Sequence, residues 1–306
     1  MKIAIIGRTE ILYNTVKLLC DSGYEIGLIL TAKEAPEYEK TSHDFRLLAE
    51  SLGVPFINSP KIDEQKAYIQ SLPPMDIGIS VNYTGLISQQ IIDLFPLGIL
   101  NAHAGDLPRY RGNACLAWAI LNGEDRIGLC VHRMIGGELD SGDIIAREFF
   151  PITLDTKITI AHRWMSERIP AIFLEAVQRL QVDNSYIMEV QSKDPADALR
   201  CYPRRPEDGR IDWSLDAINI LRLVNACAKP YTGAFCYFEN KTIIVWNASL
   251  APNENYLAIP GQVTALSDDY VEVATGKGKL RLCDLEKNGA SIKPRQLCSS
   301  VRQRFS

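Results

Sequence analysis

The chain has 306 residues, enough for one large domain or a large one and a small one. Its 46% hydrophobic and 23% charged content is ordinary for a water-soluble globular protein, and no apolar run reaches the ~20 residues of a bilayer span. A net charge of −4 argues against broad nucleic-acid binding, which needs clustered lysine and arginine.

Taken in chain order, residues 2–6 read as a strand. The run Met1-Lys2-Ile3-Ala4-Ile5-Ile6-Gly7 turns polar at Arg8-Thr9-Glu10. It is too short for the core of a secretion signal, which places the protein in the cytoplasm. Helical spacing follows at 11–20, a strand at 25–30, a helix at 42–52, a short strand at 54–57 and a helix at 64–72. Next come a strand at 76–81, a helix at 88–94, a strand at 98–101 and a helix at 114–121. This alternation predicts an α/β fold with a parallel, Rossmann-like sheet covered on both faces. Ligands of such sheets sit beyond the carboxyl ends of the strands. Two more strands, 127–133 and 143–150, precede a long helix at 159–180. Residues 181–198 are polar and read as a linker or crossover. A helix near 215–226 then leads into β-rich segments at 233–238, 242–246, 261–265, 270–274 and 279–282, separated by turn residues. The expected organisation is a catalytic domain at 1–190 and a smaller β domain at 200–306.

The eight cysteines show no C-x-x-C spacing and mostly lie in apolar segments, so they read as buried free thiols. The four histidines, 43, 103, 132 and 162, form no H-E-x-x-H, and no metal site is expected.

The densest polar cluster, Asn101-Ala102-His103-Ala104-Gly105-Asp106-Leu107-Pro108-Arg109-Tyr110-Arg111-Gly112, directly follows an apolar strand. Asn101 and His103 are two apart, so on an extended strand end they point the same way. A turn-capping His103 and a backbone-bonding Asn101 would fit the same spacing. The second cluster is Met134-Ile135-Gly136-Gly137-Glu138-Leu139-Asp140-Ser141-Gly142-Asp143, where glycines permit close backbone approach to a ligand. A plain hairpin loop capped by Asp140 fits it as well. Together the clusters offer a neutral imidazole to accept a proton, a carboxylate to orient it, and an amide to donate to an oxyanion. Direct acyl transfer to an amine needs those three groups and no serine or cysteine nucleophile.

This stretch resembles the folate-dependent formyltransferases. Their shared pattern is N-x-H, then L-P-x-Y/W-R-G, then L-D-x-G-D. The chain has Asn101-Ala102-His103, Leu107-Pro108-Arg109-Tyr110-Arg111-Gly112, Asn122-Gly123-Glu124 and Leu139-Asp140-Ser141-Gly142-Asp143. The resemblance implies a catalytic trio of Asn101, His103 and Asp140, and N10-formyltetrahydrofolate as donor. It also implies that Asn82, Tyr83, Thr84, Gly85, Leu86 and Ile87 hold the pterin, faced by Gly136, Gly137 and Glu138. Tyr83 and Leu86 taken singly read equally as core packing. The G-x-G-x-x-G fingerprint of nucleotide-cofactor oxidoreductases is absent after the first strand.

The resemblance continues through Arg204-Arg205-Pro206-Glu207-Asp208-Gly209-Arg210-Ile211-Asp212-Trp213 and Lys229-Pro230-Tyr231-Thr232-Gly233-Ala234-Phe235, the latter with Thr232 where the family has proline. These elements, with Pro260-Gly261-Gln262-Val263, are similar to the OB-like C-terminal barrel of the longer members. The short glycinamide ribonucleotide enzymes lack it. Two acceptors remain: the methionyl group on initiator tRNA, or an amino sugar carried on a nucleotide, as in lipid A aminoarabinose, O-antigen or pseudaminic acid pathways. The segment after the second strand, Thr31-Ala32-Lys33-Glu34-Ala35-Pro36-Glu37-Tyr38-Glu39-Lys40, is mixed in charge, whereas a tRNA enzyme needs a basic grip there. Ala104-Gly105-Asp106 also replaces the G-S-L typical of tRNA enzymes. The expected acceptor is therefore a nucleotide-linked amino sugar. Arg8, Thr9, Arg109, Tyr110, Arg111 and Tyr231 are the candidates for binding its pyrophosphate and base, although Arg111 fits a turn anchor as well. Apolar surface on the β domain would suit a homodimer.

Overall fold

The computed structural model describes residues 1–36, 38–252 and 255–306. Glu37 of the mixed-charge segment after the second strand lies outside the described residues. In chain order the elements begin β1 (Lys2–Gly7), α1 (Glu10–Asp21), β2 (Glu25–Thr31), α2 (Ser42–Leu52), β3 (Phe56–Asn58), α3 (Lys66–Ser71), β4 (Ile77–Val81), α4 (Gln89–Ile92) and β5 (Ile99–His103). They continue with β6 (Arg111–Gly112), α5 (Cys115–Asn122), β7 (Arg126–Arg133), β8 (Ile144–Pro151), α6 (Ile158–Val182) and β9 (Arg200–Cys201). After α7 (Ala217–Ala226) come β10 (Ala234–Phe238), β11 (Lys241–Leu250), β12 (Val263–Leu266), β13 (Val271–Ala274), β14 (Lys279–Lys287), β15 (Ala290–Ile292) and α8 (Pro294–Leu297).

Two compact units emerge. One comprises Met1–Gly112, Gly128–Phe150 and Arg163–Arg200; the other comprises Asn113–Ile127, Pro151–His162 and Cys201–Ser306. Neither is a single consecutive stretch of chain.

The first unit is built on a seven-stranded sheet of order β3-β2-β1-β4-β5-β7-β8. Its first five strands pair in parallel. β5 and β7 run antiparallel, so the sheet is mixed and not wholly parallel. The reason is the connection: between β5 and β7 lie only the two-residue β6 and the eight-residue α5. Nothing there makes the right-handed crossover that a parallel neighbour of β5 would need. Strand alternation sorts the core. Ile3, Ile5, Ile77, Ile79 and Leu100 face one layer, packed with Phe173 and Val177 of α6. Ala4, Ile6 and Ile99 face the other, with Ile91 of α4. Each fully enclosed aliphatic side chain stabilises the fold by ~1.5–3 kcal/mol.

The second unit holds an antiparallel sheet of order β10-β11-β14-β13-β12, with β15 added to β14. Its core gathers Val245, Val271 and Leu282 from the sheet with Ile220, Leu221 and Val224 from α7.

Candidate active site

Two apolar-buried residues, Ile99 and Leu100, anchor β5 in the sheet, and its last three residues emerge at the carboxyl edge. That is where an α/β sheet leaves room for ligands. Asn101 and His103 share a face there, as their spacing requires. Opposite them runs β7, with Asn101 directly across from His132 and His103 across from Cys130. The Asn101 amide nitrogen lies 3.3 Å from His132 Nε2.

Asp140 reaches the same place from the loop between β7 and β8. Its Oδ2 accepts from the Gly112 backbone N–H at 2.8 Å and lies 3.5 Å from His103 Nδ1. Its Oδ1 lies 3.5 Å from His132 Nε2. One partly buried carboxylate therefore faces two imidazoles. The carbonyl partners set the tautomers, because a carbonyl can only accept. His103 Nε2 donates to the Tyr110 carbonyl at 2.6 Å, which leaves Nδ1, beside Asp140, as its basic nitrogen. His132 Nδ1 donates to the Arg133 carbonyl at 2.9 Å, and its Nε2 faces both the Asn101 amide and Asp140 Oδ1.

Burial dominates the electrostatics of His103. It pulls the imidazole below its ordinary value of 6.5, against the charge of Asp140 and the Tyr110 carbonyl, which favour the cation. Burial by itself would raise the Asp140 carboxyl. The hydrogen bond to His132, the two imidazoles and the Gly112 N–H outweigh it and hold the group down at about 2. At neutral pH the site thus presents a carboxylate next to a neutral imidazole.

The loops carrying these groups are tied down. Gly105 is the residue that lets His103 and Tyr110 meet, since a Cβ there would collide with the Tyr110 carbonyl and His103 Nε2. Arg147 of β8 donates to Asp106 Oδ1 at 3.2 Å and to the Leu107 carbonyl at 2.7 Å. Asp140 itself has φ 47, a left-handed conformation that aspartate tolerates better than most residues. The fixture is Gln191, which is 1% exposed. Its amide nitrogen donates to the Asp140 carbonyl at 3.0 Å and the Gly142 carbonyl at 2.5 Å. Its carbonyl accepts from Arg111 Nη2 at 2.8 Å, and its backbone N–H donates to Asp143 at 3.2 Å. Gln191→Leu is expected to strand two carbonyls and one guanidinium N–H, at a cost of ~1–3 kcal/mol in denaturant unfolding. Turnover should fall with it as Asp140 loses its register; full activity in that variant would show that the clamp does not hold the site.

Beside this cluster the first unit opens a cavity of about 630 Å³. Of the residues expected to hold a pterin, Gly85, Leu86, Ile87, Gly137 and Glu138 line it, with His132 and Asp140 at its reactive end. Leu86 and Leu139 are 91% and 43% exposed, leaving apolar faces for a flat ligand. Ser88 donates to Asp63, and both residues line the wall. Asn82, Tyr83, Thr84 and Gly136 are not among the lining residues. Tyr83 packs on the core below and donates to the Ser59 carbonyl at 2.8 Å, while the Gly136 N–H donates to Gln89 at 2.8 Å. Among the described residues no group of histidine, cysteine and carboxylate side chains is arranged to hold a metal.

The remaining candidates scatter. Arg8 joins the ends of three strands, donating to the carbonyls of Asn82 at 2.9 Å and Lys33 at 2.8 Å. Thr9 is buried, with φ 88 and a hydroxyl lacking a hydrogen-bond partner among the described residues. Arg109 lies over the Tyr110 ring at 5.3 Å. Tyr110 is 3% exposed, and its carbonyl serves His103. Arg111 serves the Gln191 clamp, the anchoring role that its place in the sequence left open. Tyr231 lies in the second unit. His132 and Gln191 were not among the sequence candidates. His132 was legible only as the polar member of an alternating strand, where Leu129 and Val131 face the core.

Comparison with known proteins gives concordant results. A family profile described as "Formyl transferase" matches residues 1–177, and one described as "Formyl transferase, C-terminal domain" matches residues 204–302. A methionyl-tRNA formyltransferase of Citrifermentans bemidjiense is 30% identical over 96% of this chain and 91% of its own length. Among solved structures, an N-formyltransferase from Helicobacter canadensis, in complex with folinic acid and dTDP-3-aminofucose, superposes with a TM-score of 0.69. The match covers 92% of this chain and 99% of that one at 17% identity. HypX from Aquifex aeolicus in complex with tetrahydrofolic acid superposes with a TM-score of 0.62 at 21% identity, over 98% of this chain. This chain spans only 47% of that HypX chain.

Proposed function

We propose that this chain, which belongs to the formyl transferase family and is a folate-dependent enzyme of formyl transfer, delivers the formyl group of N10-formyltetrahydrofolate to the primary amine of a nucleotide-linked amino sugar. The observation that carries the chemistry is Asp140 set between His103 and His132, with Asn101 beside them, at the end of the 630 Å³ cavity. The donor supplies an activated formyl carbon. His103 Nδ1 receives the proton shed by the attacking amine and returns one to the departing folate nitrogen. Asparagine amides carry two N–H groups, so Asn101 can meet His132 with one and the developing oxyanion with the other. Asp140 holds the charge that His103 gains.

We place the pterin against Gly85, Leu86, Ile87, Gly137 and Glu138. Arg8 and Arg109 are the groups of the first unit we assign to the acceptor. The sugar reading rests on the acidic balance of the chain, the mixed charge around Lys33 and the likeness to the Helicobacter canadensis enzyme, whose ligand is a nucleotide sugar. It places the enzyme in the cytoplasm, ahead of lipopolysaccharide or surface-glycan assembly. Methionyl-tRNA is the second reading, favoured by the name of the relative at 30% identity. A formylation assay decides between them, with N10-formyltetrahydrofolate as donor and a panel of dTDP-, UDP- and GDP-linked amino sugars set against methionyl-tRNA. Transfer to one sugar and none to tRNA is the expected result. Transfer to tRNA alone overturns the sugar reading and leaves the chemistry standing.

A further inference from the structure

Asp106 and Arg147 are charged residues that the proposed chemistry leaves without a part. Asp106 belongs to Ala104-Gly105-Asp106, the stretch that departs from the tRNA enzymes. It sits on the turn between His103 and Tyr110, whose two ends meet where His103 Nε2 donates to the Tyr110 carbonyl at 2.6 Å. The turn lies close on the sheet. A Cβ at Gly128 of β7 would collide with the Asp106 backbone, and the Cys130 thiol donates to the Gly105 carbonyl at 3.3 Å. Arg147 of β8 grips the turn with both ends of its guanidinium. Nη1 donates to Asp106 Oδ1 at 3.2 Å and Nη2 to the Leu107 carbonyl at 2.7 Å. Nη2 also lies 3.2 Å from Glu189 Oε2. The Arg147 and Asp106 side chains are 14% and 19% exposed, so solvent screens their attraction less than it would on an open surface.

Glu189 is the link to the carboxylate of the site. Its backbone pairs with Ile144 of β8 through hydrogen bonds of 2.9 and 3.2 Å, and two residues on stands Gln191, whose amide holds the Asp140 carbonyl. One guanidinium thus joins the turn that orients His103 to the segment that orients Asp140. A planar fork makes such contacts together in fixed directions, which an ammonium cannot do. The register matters because the two partners of His103 oppose each other. A carboxylate 3.5 Å from Nδ1 favours the neutral tautomer with its hydrogen on Nδ1, whereas the Tyr110 carbonyl favours hydrogen on Nε2. The second tautomer alone leaves a lone pair at Nδ1 for an incoming proton. We propose that Arg147 is a positioning residue: by holding the Asp106–Leu107 turn it keeps the Tyr110 carbonyl on Nε2, and so keeps His103 in the tautomer that can act as a base at Nδ1. The effect on turnover rests on His103 being the base; the effect on the tautomer does not.

Nitrogen NMR of the full chain, labelled at histidine and held at a pH where His103 is neutral, reads the tautomer directly, and His103→Ala identifies its signals. Arg147→Met is expected to move the hydrogen of His103 from Nε2 toward Nδ1 while the signals of His43 and His162 stay in place. It should also lower kcat roughly 10²-fold with little change in KM for N10-formyltetrahydrofolate. Asp106→Asn, which keeps an oxygen for Arg147, should retain the native tautomer. A His103 hydrogen that Arg147→Met leaves on Nε2 overturns the proposal, as does a native chain that already carries it on Nδ1. A tautomer that shifts with turnover unchanged supports positioning by Arg147 and overturns His103 as the base instead. Should Arg147→Met fail to fold, Asp106→Ala, which frees one arm of the fork, takes its place, and an unmoved tautomer there overturns the proposal equally.

Discussion

His103→Ala is expected to lower kcat by roughly 10²–10⁴-fold while tetrahydrofolate still binds. The size follows from the loss of a positioned general base, and the retained binding from the cavity wall, which does not include His103. The sharper test is pH. A base must be neutral to accept a proton, so activity is present above the pKa of His103 and falls as pH drops through it. Burial moves that pKa below 6.5, so the acid limb should lie on the acid side of an ordinary histidine. The acceptor amine titrates too, but its limb belongs to the substrate and survives mutation. In the residual activity of His103→Ala the lower limb should therefore vanish and the amine limb remain. An unchanged acid limb in the variant would remove His103 as the base.

Much of the fold was legible because the strands obey a strict alternation. Ile3 and Ile5 against Ala4 and Ile6 already state that both faces of β1 are covered. Helix α2 begins and ends where its signals put it, with a Thr41–Asp44 capping box and Gly53 in the left-handed conformation at its end. The reversal of β7 was not legible, since direction depends on where the intervening chain goes and not on the strand's own residues. The same holds for the site. Asn101 and His103 could be paired from their spacing on one strand. His132 joins them through an antiparallel register 31 residues away. Gln191 sits in a polar stretch that reads as a linker, yet its side chain is enclosed and bonded on every side by loops distant in sequence. Local pattern carries information about faces and ends; it carries almost none about which polar residue fills a hole between two segments distant in sequence.

Asp140→Asn should be nearly as damaging as loss of the histidine, and for a reason that the geometry makes specific. Asparagine is close to isosteric and accepts the left-handed φ of 47, so the loop and the Gln191 clamp should survive. What changes is the group facing His103 Nδ1, 3.5 Å away. A carboxylate oxygen invites a proton onto that nitrogen and then holds the cation. An amide N–H turned toward it would donate to the lone pair and block it, while an amide oxygen would leave the imidazolium without a counter-charge. Turnover is expected to drop roughly 10²–10⁴-fold. The same substitution has a signature in stability. The folded-state pKa of Asp140 is held from 3.8 down to about 2, so the ionised group stabilises the fold above pH ~4. That contribution, worth roughly 2 kcal/mol, is lost as pH falls from 3.8 toward 2. Asp140→Asn should be less stable than the native chain at pH 6 and should converge with it below pH ~2 in denaturant unfolding. A variant equally destabilised at both ends of that range would show that Asp140 acts through shape and not through its charge. Full activity in Asp140→Asn would mean that the proton on His103 needs no counter-charge, and the carboxylate would then be only a strut for the loop.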